Sequence, residues 1–197
     1  ECTRLALPVL PAFLLAFWAT TLPSLAAGLS AAALHLGLLP LSVVATGVFL
    51  CALTLAAKWL LLGRMRAGHH VLWSCWCCRW DFLFEVWSAY GRPVIECLEG
   101  TPAVAWWLRA MGARIGHRVV LGTSLAQLVD PDMLVIDDDA TVSCHLQLHS
   151  FEDRVLKVGP SRIGAGSTVA AGSLLLYGAD IGAGATVAEQ GVVMKHE

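Results

Sequence analysis

Residues 163–197 read IGAGSTVAAGSLLLYGADIGAGATVAEQGVVMKHE, and an aliphatic side chain returns in them every six positions, at Ile163, Val169, Leu175, Ile181, Val187 and Val193. That spacing is neither the two of a strand nor the 3.6 of a helix. It is the mark of a hexapeptide β-helix, in which each hexad forms one face of a triangular coil. Small residues follow four places after the first five aliphatics, at Ser167, Ser173, Ala179, Ala185 and Gly191. Gly166, Gly172, Gly178 and Gly184 supply the backbone freedom that a turn after every short strand demands.

Moving upstream, the count persists with interruptions. Ile115 and Leu121 are one hexad apart, and an insertion from Gln127 to Val135 precedes Ile136, Val142 and Leu148. Leu148 to Ile163 is not a multiple of six, so a loop must leave the coil between His149 and Pro160. Residues 113–197 are therefore expected to form an all-β, left-handed parallel β-helix. In such scaffolds the insertions carry function, because the coils are repetitive.

The first third of the chain is of another kind. No Asp, Glu, Lys or Arg occurs from Leu5 to Ala57, a run long enough for two membrane crossings of about 20 residues each. Transmembrane helices are expected at about Leu5–Ala27 and Leu36–Leu62, forming a two-helix segment over residues 1–66. Arg4 precedes the first, and Lys58, Arg64 and Arg66 close the second. The positive-inside tendency then predicts a multi-pass protein of the inner (cytoplasmic) membrane with the β-helix on the cytoplasmic side. Residues 67–112 would hold an amphipathic, Trp-rich interfacial helix, His69 to Tyr90, and a short helix begun by Thr101-Pro102 and ended near Gly112. Hydrophobic residues make up 57% of the chain and charged ones 14%, with a net charge of -2. A basic nucleic-acid surface is excluded. Glu1 in place of Met suggests a piece of something larger. Seven cysteines, an odd number scattered along the chain, argue against a disulfide framework. Cys75 and Cys78 form a C-x-x-C with no second pair to complete a zinc site, and their Trp neighbours predict packing.

The most titratable stretch coincides with the departing loop: Cys144-His145-Leu146-Gln147-Leu148-His149-Ser150-Phe151-Glu152-Asp153-Arg154. Acyl transfer to an amine or hydroxyl requires a base, since the nucleophile loses a proton as it attacks. His149 is the candidate general base, with Glu152 or Asp153 to fix its tautomer and stabilise its charged form. His145, Arg154 and Lys157 are candidate substrate contacts. A zinc triad of His117, His145 and His149, on the pattern of gamma-type carbonic anhydrases, has no motif behind it, and no metal site is expected.

Several blocks carry a family resemblance. Gly100-Thr101-Pro102, Trp107-Leu108-Arg109, Gly112-Ala113-Arg114-Ile115-Gly116, Leu146 through Val155 and Val192-Val193-Met194-Lys195 resemble the membrane-embedded C-terminal region of the poly-ε-lysine synthetase family, which are non-ribosomal peptide synthetases. The resemblance implies a hexapeptide acyltransferase-like domain that joins an amino acid, held as a phosphopantetheine thioester on a carrier (thiolation) domain, to a free amine. His149 matches the family's histidine. Leu148 and Ser150 stand where the family has Thr and Leu. Nothing implies a cofactor bound within the chain itself. Expected partners are the membrane, the carrier domain, and neighbouring β-helix copies or a homo-oligomer. Two other readings stand beside this one: an O- or N-acyltransferase using acyl-CoA on a sugar or lipid, and a non-catalytic scaffold copy in a tandem array.

Overall fold

The computed structural model describes residues 29–195. A long helix, α1 (Leu29–Leu61), leads into strand β1 (Gly68–Val71) and helix α2 (Cys75–Val86). A π-helical turn (Trp87–Gly91), α3 (Arg92–Glu96) and α4 (Pro102–Met111) follow. Local sequence explains the breaks. Ser74 caps α2, its Oγ accepting from Cys77 N at 3.2 Å, which satisfies one orphan donor of the first turn. Pro102 opens α4, and Gly112 closes it with φ 119°, a left-handed conformation natural to glycine. Thr101 does not cap with its side chain; its hydroxyl donates to Leu98 O at 2.6 Å. His69–Val71 is strand rather than the start of the Trp-rich helix, because it pairs antiparallel with a later strand.

The remainder is β2 (Arg114–Ile115), β3 (Val120–Leu121), β4 (Leu134–Ile136), β5 (Thr141–Gln147), β6 (His149–Glu152), β7 (Val155–Val158), β8 (Ser161–Ile163), β9 (Thr168–Leu176), β10 (Asp180–Ile181), β11 (Thr186–Val187) and β12 (Val192–Val193). Two sheets are parallel, in the orders β10-β8-β4-β2 and β11-β9-β5-β3, with β12 beside the far end of β9. The aliphatics counted in the sequence become register partners: Ile115 with Ile136, Ile136 with Ile163, Ile163 with Ile181, and Leu121, Val142 and Val169 likewise. The third sheet, β1-β7-β6, is antiparallel and stands where the chain departs after Leu148.

The fold class is therefore corrected from an all-β, left-handed parallel β-helix joined to transmembrane helices to a mixed α/β arrangement with parallel sheets. Two physical reasons stand out. Stacked aliphatics are separated by unequal lengths of chain: Ile163 to Ile181, Val169 to Val187 and Leu175 to Val193 keep three hexads, but the steps before them, from Ile115 to Ile136 and from Ile136 to Ile163, do not, so long excursions replace a regular coil. One continuous core also takes in both parts: Trp80, Trp87, Val104 and Leu108 from the helical half pack with Leu125, Leu134, Val142, Ile163 and Val169.

The multi-pass inner-membrane placement is corrected with it. Among the described residues a single helical stretch, Val43–Leu61, is long and apolar enough to cross a membrane. Its last turns are fastened to the rest of the fold by polar contacts. Lys58, fully buried, pairs with Asp132 at 2.8 Å, and Trp59 Nε1 donates to Ala110 O at 2.9 Å. The other expected span, Leu5–Ala27, lies outside the described residues.

Candidate functional site

Strand β6 is short, and its alternation decides everything about the site. Successive side chains on a strand point to opposite faces, so His149 and Phe151 share one face and Ser150 and Glu152 the other. A two-residue turn joins β6 to β7. Asp153 and Arg154 occupy it with φ of 53° and 60°, the positive values a type I′ hairpin requires at both central positions. Asp153 and Arg154 are thus turn residues at the hairpin tip, and Arg154 O accepts from Leu72 N at 3.3 Å.

On the first face, His149 Nδ1 lies 2.5 Å from Asp130 Oδ2. Asp130 Oδ1 accepts from Trp80 Nε1 at 2.7 Å. The carboxylate is completely buried, yet both its oxygens have partners, which is the condition for keeping a charge inside a protein. Trp80 does more than donate. Its ring stands edge-on to the imidazole at 4.8 Å between centroids, and Phe151 stands edge-on to both. With Nδ1 facing Asp130, Nε2 is left outward, and no partner for it occurs among the described residues. The ring remains reachable, its side chain 19% exposed. A carboxylate holding one imidazole nitrogen so that the other can accept a proton is the orientation logic of general-base sites.

On the second face the chemistry is different. Glu152 Oε2 accepts from Lys157 Nζ at 2.7 Å, and Oε1 accepts from Ser150 Oγ at 2.8 Å and Tyr177 OH at 3.1 Å. Lys195 Nζ reaches the same tyrosine hydroxyl at 3.2 Å. Hydrogen bonds from Lys157, Ser150 and Tyr177 hold the Glu152 carboxyl far below its ordinary range, at about 2. Lys157 is raised in return, first by its bond to Glu152. This network ties the hairpin to the β9–β10 turn and to Lys195, just past β12.

The sequence-predicted residues therefore separate. His149 is joined to a carboxylate, and that carboxylate is Asp130 rather than Glu152 or Asp153. His145 is half-buried on β5, opposite Leu174 of β9, and is not bonded to His149. Cys144 is sealed in the core, where burial pushes its thiol up to about 12, so no thiolate nucleophile arises there. Among the described residues, no group of three His, Cys, Asp or Glu side chains is placed to hold a metal ion.

Asp130 and Trp80 were not foreseen. Asp130 falls in the insertion between Leu121 and Ile136, whose place in a coil no periodicity could fix, and Trp80 was one tryptophan of a stripe. A faint signal existed: Asp130 and Asp132 are set between the apolar pairs Leu128-Val129 and Met133-Leu134, where a carboxylate needs a partner. An open groove of ≈ 630 Å³ lies elsewhere, over β2 and β4, and is lined by Arg109, Arg114, Asp137 and Asp138 among others. None of the His149 partners borders it.

Comparison with known proteins adds one kind of support. No family model matches the chain, and no solved structure matches it. The chain is 30% identical over 143 residues to delta-poly-L-ornithine synthetase of Acinetobacter baumannii (strain AB307-0294), an alignment covering 71% of this chain and 11% of that protein. The chain thus spans a small part of its relative's length, and the relative is, at the coarse level of a peptide synthetase, of the kind the sequence resembled.

Proposed function

We propose that this chain is part of an amide-bond-forming synthetase and that His149, oriented by Asp130, takes the proton from the attacking amine. The observation that carries the reading is the 2.5 Å contact between His149 Nδ1 and a buried carboxylate whose other oxygen is held by Trp80. The similarity to a delta-poly-L-ornithine synthetase supports the reaction class, since a poly-amino acid is built by amide bonds.

The donor in this reading is an aminoacyl thioester on a phosphopantetheine arm, and the acceptor is a free amine. The amine nitrogen adds to the thioester carbonyl as His149 Nε2 accepts its proton, while Asp130 fixes the tautomer and complements the charge developing on the ring. The tetrahedral intermediate then collapses. Its C–S bond breaks, the amide carbonyl re-forms, and the imidazolium returns the proton to the leaving sulfur. Atoms balance with one amide and one thiol formed, and activation of the amino acid is left to other parts of the protein.

The test is amide formation by the complete protein with His149→Ala, folding being checked by protease resistance. A loss of about 100-fold or more is expected, the scale of a positioned acid–base group. Normal turnover by a folded variant would remove His149 from the mechanism.

A further inference from the structure

The sequence predicted that the C-x-x-C of α2 would simply pack, but only the two residues between its cysteines, Trp76 and Cys77, do so. Cys77 is buried, whereas Cys75 and Cys78 are exposed on the first turn of the helix, three residues apart. Residues at that spacing share a helix face with Cβ atoms about 5–6 Å apart. A disulfide asks for about 3.5–4.5 Å, so closing one requires the first turn to tighten. The first turn is where a helix can do so, because its early N–H groups are held by a cap rather than by the ladder. Here the cap is Ser74, bonded to Cys77 N through its hydroxyl, while Cys78 N makes the first bond of the ladder, to Ser74 O at 3.0 Å, which is the one bond the tightening must shift. Two residues beyond Cys78 on the same helix stands Trp80, which donates to Asp130 and abuts the His149 ring.

We infer that Cys75 and Cys78 form a reversible disulfide with a small-molecule disulfide as oxidant, and that the bond draws Trp80 away from Asp130 and slackens the His149 site. The chemistry is a double exchange. One cysteine sulfur displaces a thiol from the small disulfide, giving a mixed disulfide, and the second cysteine displaces the other. Two small thiols leave with the two cysteinyl protons, and the two electrons pass to the oxidant. A bond made on a tightened turn at the surface is of the labile, readily reduced kind.

The bond itself is independent of the function proposed above; its effect on turnover rests on that reading. The complete protein is incubated with oxidised glutathione, free thiols are alkylated, and the peptide carrying residues 75–78 is weighed. The expected result is a peptide lighter by two hydrogens and without alkylation at Cys75 and Cys78, restored by dithiothreitol. Amide formation should fall by about tenfold, since a displacement of about 1 Å in a catalytic group can cost about 100-fold. Cys78→Ser should keep its activity in the oxidant, and Cys97→Ser, which alters another exposed thiol, should lose it as the unaltered protein does. Separate glutathione adducts or two alkylated thiols would overturn the disulfide. A complete bond with unchanged turnover would overturn its link to Trp80. If His149→Ala were fully active, the site reading would fail while the mass of the peptide still decided whether the bond forms.

Discussion

The two faces of β6 are built from neighbouring residues by opposite means. On one, His149 is bonded to a carboxylate nineteen positions away, Asp130, which is fully buried and held in turn by Trp80 from a helix. On the other, Glu152 is bonded to Ser150 and Lys157 within its own hairpin and to Tyr177 beyond it, and lies half-exposed. The carboxylate of the first face is closed to solvent and that of the second is open to it. Reaction chemistry benefits from the first, because a buried, doubly bonded carboxylate holds one geometry, whereas an exposed ion pair is weakened by water and salt.

The largest expected effect breaks the comparison directly. Asp130→Asn keeps the shape of the side chain but exchanges a carboxylate oxygen or its lone pairs for an amide, and amide formation is expected to fall by about 100-fold or more. Glu152→Gln should alter it by no more than about threefold, the scale of a partly exposed ion pair. Steady-state rates on the complete protein check both. Equal losses would show that the two faces are one site.

Next in size is the fastening of the segment that carries Asp130. Asp132, two residues on, pairs with Lys58 at 2.8 Å with both side chains almost fully buried, and its Oδ2 also accepts from Met65 N at 3.2 Å. Lys58→Ala leaves that carboxylate without its cation, and the expected destabilisation is about 3–5 kcal/mol by denaturant unfolding. Substitution at Gly112 sharpens the same point. A Cβ there would run into the Asp132 carboxylate, and φ is 119°, so Gly112→Ala should also loosen the segment.

Trp80→Phe isolates the third member of the His149 face. The indole donor to Asp130 is lost while most of the ring remains, and a buried carboxylate short of one partner costs about 1–3 kcal/mol. Turnover should fall with stability, yet less than in Asp130→Asn, because the His149 contact survives. A stability loss without any change in rate would make Trp80 purely a packing residue.

How far the sequence could be read follows from the same contrast. The hexad aliphatics marked core positions, because a core position demands an apolar side chain wherever strands stack, and Ile163 and Ile181 fall opposite one another three hexads apart, whereas Ile136 meets Ile163 across a separation that the count does not contain. The period did not reveal the helices sharing that core or the antiparallel excursion β1-β7-β6, since both arise from segments with no six-residue repeat. His149 was legible as a polar residue where the count breaks. Its partner was not: proximity in sequence favoured Glu152, and strand alternation turned Glu152 to the far side. Lys58 was read as a charge flanking a membrane span, because only tertiary structure reveals the buried Asp132 that meets it.

The smallest effect tests the second face alone. Glu152 is held at about 2 against an ordinary 4.5. Its folded-state value is depressed, so its contribution to stability is present above about 4.5, where the unfolded carboxyl is also ionised, and is lost as pH falls toward about 2. Thermal unfolding of the unaltered chain should therefore decline across that window, and Glu152→Gln should flatten part of the decline while leaving the midpoint near neutral pH slightly lower. High salt should shrink the difference, because the group is open to solvent. An acid limb unchanged by the substitution would mean that the Lys157, Ser150 and Tyr177 contacts position the hairpin without favouring the carboxylate. The fastening of β6 to Tyr177 and Lys195 would then rest on its backbone pairing with β7, and the stability of the His149 face would owe nothing to the charges behind it.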